Sequence, residues 1–180
     1  KLLASAQKHL KKKVLPRAIK DFAKVVEIDP NDMRSRQKLA ELYSRTGKSA
    51  EAFEHYETVA KYFAGNGFYL KAIAIYRQMQ RLDPSQLSIH LRLAELNQKQ
   101  GLVGNAMSEY RELVSHYEKN DMTADSINIL EKMQELDPES LSIKIKLTEV
   151  LANNNRVDES REHFNAVLAA LNEKQDCRGH

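Results

Sequence analysis

The hexapeptide Val25-Val26-Glu27-Ile28-Asp29-Pro30 returns as Met79-Gln80-Arg81-Leu82-Asp83-Pro84 and again as Met133-Gln134-Glu135-Leu136-Asp137-Pro138, each time 54 residues further on. A fixed period over most of a chain decides the architecture before any local reading, because each repeat is one structural unit stacked on the next. The same offset carries Leu39-Ala40-Glu41-Leu42 onto Leu93-Ala94-Glu95-Leu96 and onto Leu147-Thr148-Glu149-Val150. It also places Tyr56 on Tyr110 and Phe164, Gly47 on Gly101 and Asn155, and Ile19 on Ile73 and Ile127.

Within one period apolar residues recur at steps of three and four, the mark of an amphipathic helix, and breakers fall at three places. In the middle unit a helix ends at Pro84, because proline pushes the residue before it out of helical geometry. Ser85 is positioned to cap the next helix, which runs to Gly101, a residue suited to the left-handed turn that closes a helix. A third helix follows from Val103. Over the whole chain this spacing predicts ten helices, the first starting near Leu2 and the last ending near Lys174, with a flexible tail over 175–180.

Composition agrees. Among 180 residues there are only 6 Gly and 4 Pro and no Trp, while good helix formers dominate. Lys and Arg total 28 against 25 Asp and Glu, a net charge of +3, so the surface is mixed rather than basic. Nucleic-acid binders concentrate positive charge on one face; the single basic run here, His9 to Lys13 with Arg17 and Lys20 beyond it, reads as a solvated helix end. The one cysteine, Cys177, cannot form an internal disulfide, which fits a reducing, cytoplasmic setting. No apolar run approaches the ~20 residues a membrane helix needs, and no membrane partner is expected.

The stretch LAELYSRTGKSAEAFEHYETVA, Leu39 to Ala60, resembles a tetratricopeptide (TPR) repeat. That pattern has Leu and a small residue, an aromatic three residues on, then Ala and an aromatic four apart, then a closing proline. Leu39, Ala40, Tyr43, Ala52 and Tyr56 fill those places, with Pro30 and Pro84 as closing prolines and Arg36 where the pattern has Trp. A period of three helices rather than two makes the motifs overlap, in the style of long multi-TPR bacterial proteins with 54-residue three-helix units. The resemblance implies an all-α, TPR-like α-solenoid, a right-handed superhelix of about ten antiparallel helices forming one domain over 1–174. It implies a scaffold that holds a partner peptide or helix in a concave groove. A structural element that self-associates through open ends is the first alternative, and an RNA-binding helical repeat the second.

No enzyme is expected. The six histidines, His9, His55, His90, His116, His163 and His180, show no metal-ligand spacing and read as surface residues, so neither metal nor cofactor is predicted. No nucleophile and base are paired in a setting that would shift their pKa values. The aromatic stripe Tyr62, Phe63, Phe68, Tyr69, Tyr76 reads as packing between hairpins rather than a platform for stacking bases.

Two stacking geometries remain open. In a two-layer solenoid successive helices alternate between layers, so Glu41 and Glu149, six helices apart, share the concave side and Glu95 lies on the other. In a triangular stack all three glutamates share one face. The two-layer reading gives a partner-binding set of Arg34, Gln37, Glu41, Lys71, Ile75, Arg111, Ser115, Ile145 and Glu149. Such a surface is mixed in charge with apolar insets, suited to a basic or amphipathic protein segment. The last helix, from Val157, carries one apolar stripe and reads as a cap. The first, with Leu3 and Leu10, is predicted to leave apolar surface open and to mediate any homo-oligomer.

Overall fold

A computed structural model of the protein describes residues 1–177; residues 178–180, which include His180 and half of the expected tail, lie outside the described residues. Ten α-helices and no strand run through the described residues: α1 (Leu2–Lys11), α2 (Leu15–Ile28), α3 (Met33–Arg45), α4 (Ser49–Gly65), α5 (Tyr69–Leu82), α6 (Leu87–Lys99), α7 (Val103–Lys119), α8 (Thr123–Leu136), α9 (Leu141–Asn153) and α10 (Val157–Asp176). Gln175 and Asp176, expected in the tail, continue α10.

The helices end in two ways, both dictated by single residues. After α2, α5 and α8 the chain leaves helical geometry at Asp29, Asp83 and Asp137, whose φ angles are −126°, −143° and −136°. Each precedes a proline, which excludes the helical region for the residue before it. The other turns use a left-handed residue. Gly47 and Gly101 take φ +79°, and Asn155 takes +59° at the third register. The turn then closes with the six-to-one bond of a Schellman cap: Lys48 N–H to Tyr43 O (2.9 Å), Leu102 to Asn97 (2.8 Å), Arg156 to Leu151 (3.0 Å).

Helix starts follow the sequence less closely. Asp32 caps α3 by accepting from the Ser35 N–H (3.0 Å), and Ser140 caps α9 by accepting from Ile143 (3.4 Å). Ser85 does not cap α6 as its position suggests. Its N–H and hydroxyl both donate to the Asp83 carboxylate, which also accepts from the Gln86 side chain, and Gln86 stands at the N-cap. With its hydroxyl held on Asp83, Ser85 belongs to the Asp-Pro turn rather than to the start of α6.

The helices group into two compact units, Lys1–Leu102 with α1–α6 and the residues from Val103 on with α7–α10. Within each unit the close pairs are consecutive helices. Small residues let them approach: Ala40, Ala52, Ala60, Ala72, Ala94 and Ala106 are fully buried. In the third register Thr148 and Ser160 replace Ala94 and Ala106, and the Ser160 hydroxyl donates to the Thr148 carbonyl (3.0 Å), tying α10 to α9. Ala94→Leu is therefore expected to cost ~1 to 3 kcal/mol, because a crossing filled to its backbone has no room for added methylenes. Unmoved thermal unfolding would show that the crossing has slack.

Arg36, which stands where the TPR pattern has Trp, bridges elements instead of filling space. Its guanidinium donates to the Pro30 carbonyl (3.1 Å) and to His55 Nδ1 on α4 (3.1 Å). Burial, and then the Arg36 charge, hold the His55 pKa below its ordinary value, so the ring is a neutral acceptor stacked on Tyr43 (centroids 5.8 Å apart). His55 is thus a half-buried packing residue rather than a surface one.

Candidate protein-binding face

The first unit shows how the helices alternate. Residues of α3 and α5 meet across Tyr56 of α4, whereas residues of α4 and α6 meet across Tyr76 of α5. Odd helices thus share one face of this unit and even helices the other, the two-layer arrangement; a triangular stack would bring α3 beside α6. Glu41 lies on the α3/α5 face and Glu95 on the α4/α6 face.

Two adjoining depressions, of about 330 and 480 Å³, run along the α3/α5 face and share Gln37, Ala74 and Ile75. The first also takes in Glu41, Arg45, Tyr56 and Gln78; the second takes in Met33, Arg34, Phe63 and Lys71. All five residues predicted for these helices, Arg34, Gln37, Glu41, Lys71 and Ile75, are therefore brought together. Ile75 forms floor rather than surface, since it is buried. Ala74, Gln78 and Arg45 complete the lining and were legible as the next helical steps from Lys71 and Glu41. Phe63 was missed because its spacing fits a core position equally well.

The charges here are partly spoken for. Glu41 accepts from Lys38 Nζ (3.1 Å), a half-exposed pair of small energetic weight. The Tyr56 phenol is pushed above its ordinary pKa by burial and then by the Glu41 carboxylate, so it stays a neutral donor. Lys71 sits over Phe63 and Phe68, 5.5 and 5.2 Å from their ring centroids, a cation held between two aromatic faces. Of the aromatic stripe, Tyr76 is core, but Tyr62 and Phe68 are exposed, so those two do not pack between hairpins.

In the second unit α7 and α9 meet across Leu130 and Met133 of α8, with Arg111, Ser115, Ser142 and Lys146 in the lining. Lys146 bridges the two helices through Glu118 (2.8 Å). Arg111 and Ser115 are thus placed as expected beside α9, but Ile145 and Glu149 are not in this depression. Both are exposed on α9; Ser142 and Lys146 are the residues of that helix that line the depression with α7.

A larger groove of about 740 Å³ lies between α1 and α3, floored by Leu3, Leu10 and Phe22. The predicted opening at the first helix is real: Leu3 is exposed. The last helix does not match the cap expected of it. Only Ser160 and Val167 of α10 are buried, while Val157, Phe164, Leu168 and Leu171 are exposed. Among the described residues no helix is long and apolar enough to cross a membrane, and no group of three or more His, Cys, Asp and Glu could hold a metal ion.

The sequence profile of the tetratricopeptide repeat family matches residues 22–54 and 58–122, together more than half of the chain. The chain belongs to the tetratricopeptide repeat family. As such it serves protein–protein interaction, the use to which these hairpin arrays put their extended surfaces. Among solved structures it is similar to MamA from residue 41 to the end, from Desulfovibrio magneticus RS-1, at 14% identity over 96% of this chain and 94% of that one, with a TM-score of 0.33. BtubC from P. vanneervenii matches at 14% identity over 97% of this chain and 80% of that one, TM-score 0.43. A TPR protein from Parabacteroides merdae matches at 13% identity over 94% and 78%, TM-score 0.33. No curated protein matches the sequence.

Proposed function

We propose that this protein is a non-catalytic, cytoplasmic scaffold that holds a peptide or helical segment of a partner protein along the α3/α5 face. The observation that carries the reading is the convergence there of Arg34, Gln37, Glu41 and Lys71 around an apolar floor of Tyr56, Phe63 and Ile75. Few, mixed charges over an aromatic floor suit a segment with alternating apolar and polar side chains, basic or amphipathic, better than a polyanion. The second unit offers Arg111 and Ser115 on α7 and the exposed Ile145 and Glu149 on α9 as its own candidate contacts. Nucleic acid is disfavoured by the net charge of +3.

The test is site-specific photocrosslinking in lysate of the source organism. A crosslinker at Gln37 or Gln78 should label one protein repeatedly, with the adduct mapping to a short segment, while one at Arg92 on the opposite face should label nothing in common. Equal labelling from both faces, or labelling from Arg92 alone, would refute the placement.

A further inference from the structure

The two depressions on the α3/α5 face differ in charge, although one runs into the other. The one toward the C-terminal ends of these helices holds Glu41 and Arg45, one charge of each sign. The one toward their N-terminal ends holds Arg34 and Lys71 and no acid. Its floor is Met33, Phe63 and Ile75, so two exposed cations stand over an apolar hollow. Asp32, the acid whose charge reaches Arg34, is engaged elsewhere: the Ser35 N–H and hydroxyl both donate to its carboxylate, at 3.0 and 2.6 Å.

Stacking of the repeat does not require this arrangement. Phe63, Phe68 and Lys71 correspond to His9, Val14 and Arg17 one period earlier and to Tyr117, Met122 and Asp125 one period later, while Arg34 corresponds to Ser88 and Ser142. Phe68 is 51% exposed and meets Phe63 edge to face, their centroids 6.3 Å apart. A ring left half in water adds little to the core, and beside a second ring it forms the kind of surface that partners cover. The rings also hold Lys71, whose ammonium lies 5.5 and 5.2 Å from their centroids. A flexible cation restrained before binding loses less freedom when it pairs. Arg34, on the facing helix, makes no hydrogen bond or ion pair among the described residues.

We infer that this end of the α3/α5 face recognises an acidic side chain of the partner segment next to a large apolar one. The apolar residue seats on Met33, Phe63 and Ile75, and its acidic neighbour pairs with Arg34 and Lys71. The inference rests on the α3/α5 face being the one that binds a partner, and it adds a sequence requirement and a direction. Charge complementarity selects the occupant: a basic residue here would meet two like charges, which is costly. Glu41, two turns and about 10 Å further along α3, leaves the other end open to a neutral or basic residue. The segment is therefore amphipathic, with its acid toward the starts of α3 and α5. That acid is a side chain and not a chain end, because apolar surface continues on both sides of the cations. Phe68 lies beyond Lys71 at the N-cap of α5, and Ile75 and Ala74 carry the floor into the other depression.

The test begins with selection of displayed random peptides, flanked at both ends by fixed sequence, on the whole chain. Enriched peptides should carry Asp or Glu beside Phe, Trp, Leu or Met. A synthetic enriched peptide, amidated at its C-terminus and titrated by fluorescence anisotropy, should lose about tenfold in affinity to Lys71→Glu and to Arg34→Glu, as opposed charges made alike do. Circular dichroism should be unchanged, since both side chains are exposed. Replacing the peptide's acid by Lys should weaken binding to the natural chain and restore it to the Lys71→Glu chain, a rescue that a merely structural role would not give. A selection that enriches nothing, enriched peptides without an acid, affinity indifferent to both reversals, or a reversal without rescue would each overturn the inference. So would affinity that vanishes on amidation, which would mark capture of a chain end. Crosslinking from Gln37 and Gln78 does not depend on the partner's charge, so a purely basic segment labelled there would overturn this inference and leave the binding face standing. Labelling from Arg92 alone would remove the face itself.

Discussion

Replacing Tyr110 by alanine is expected to lower stability by ~3 to 5 kcal/mol, the usual loss when a large buried aromatic is truncated. Tyr110 is among the largest fully buried side chains, on the face of α7 that packs against α8. Its removal leaves a cavity that helices pinned by short turns cannot collapse to fill. The control lies in the same repeat position. Phe164→Ala removes a ring of similar size at the equivalent site on α10, but that ring is half exposed, so its loss should cost a small fraction as much when the chain is dilute and monomeric. Denaturant unfolding of both variants at micromolar concentration measures the contrast. Equal losses would mean that Phe164 is covered in solution.

Charge reversal at the recurrent glutamates should divide them. Glu41→Lys is expected to weaken binding of the crosslinked partner by tenfold or more, ~1.4 kcal/mol or above. It puts a cation in the depression that holds Arg45, next to the one that holds Arg34 and Lys71, where a basic or amphipathic segment is proposed to lie, and like charges in a contact are costly. Glu95→Lys, on the α4/α6 face beside Lys61, Arg92 and Lys99, should leave affinity within about twofold, as exposed charges remote from a contact do. Circular dichroism should be unchanged in both. Titration of the purified partner segment against each variant decides it: loss from Glu95→Lys with Glu41→Lys silent would put the binding face on the even helices.

Much of this was legible in the chain before folding. The three Asp-Pro sites had to end helices, because proline excludes helical geometry just before it. Gly47 and Gly101 had to close turns, and Asn155 takes the same left-handed geometry at the third register. Ala40, Ala52 and Ala94 announced close crossings, and all are fully buried. These are local rules, satisfied within a few residues, so one period read from sequence predicts them for the others.

What only the tertiary structure decided depends on neighbours. Local pattern gives Phe164 and Tyr110 the same reading, yet one is buried and the other is not, because burial belongs to the pair of helices and not to the residue. Ser85 stands where a cap could be, but its hydroxyl is bound to Asp83 in the preceding turn and Gln86 takes the N-cap position. Glu41 and Glu95 are one position in the repeat and lie on opposite faces of the first unit. A shift of three helices, in a packing that alternates by twos, moves the position to the other face, and no periodicity in the sequence records which neighbour a helix flank will meet.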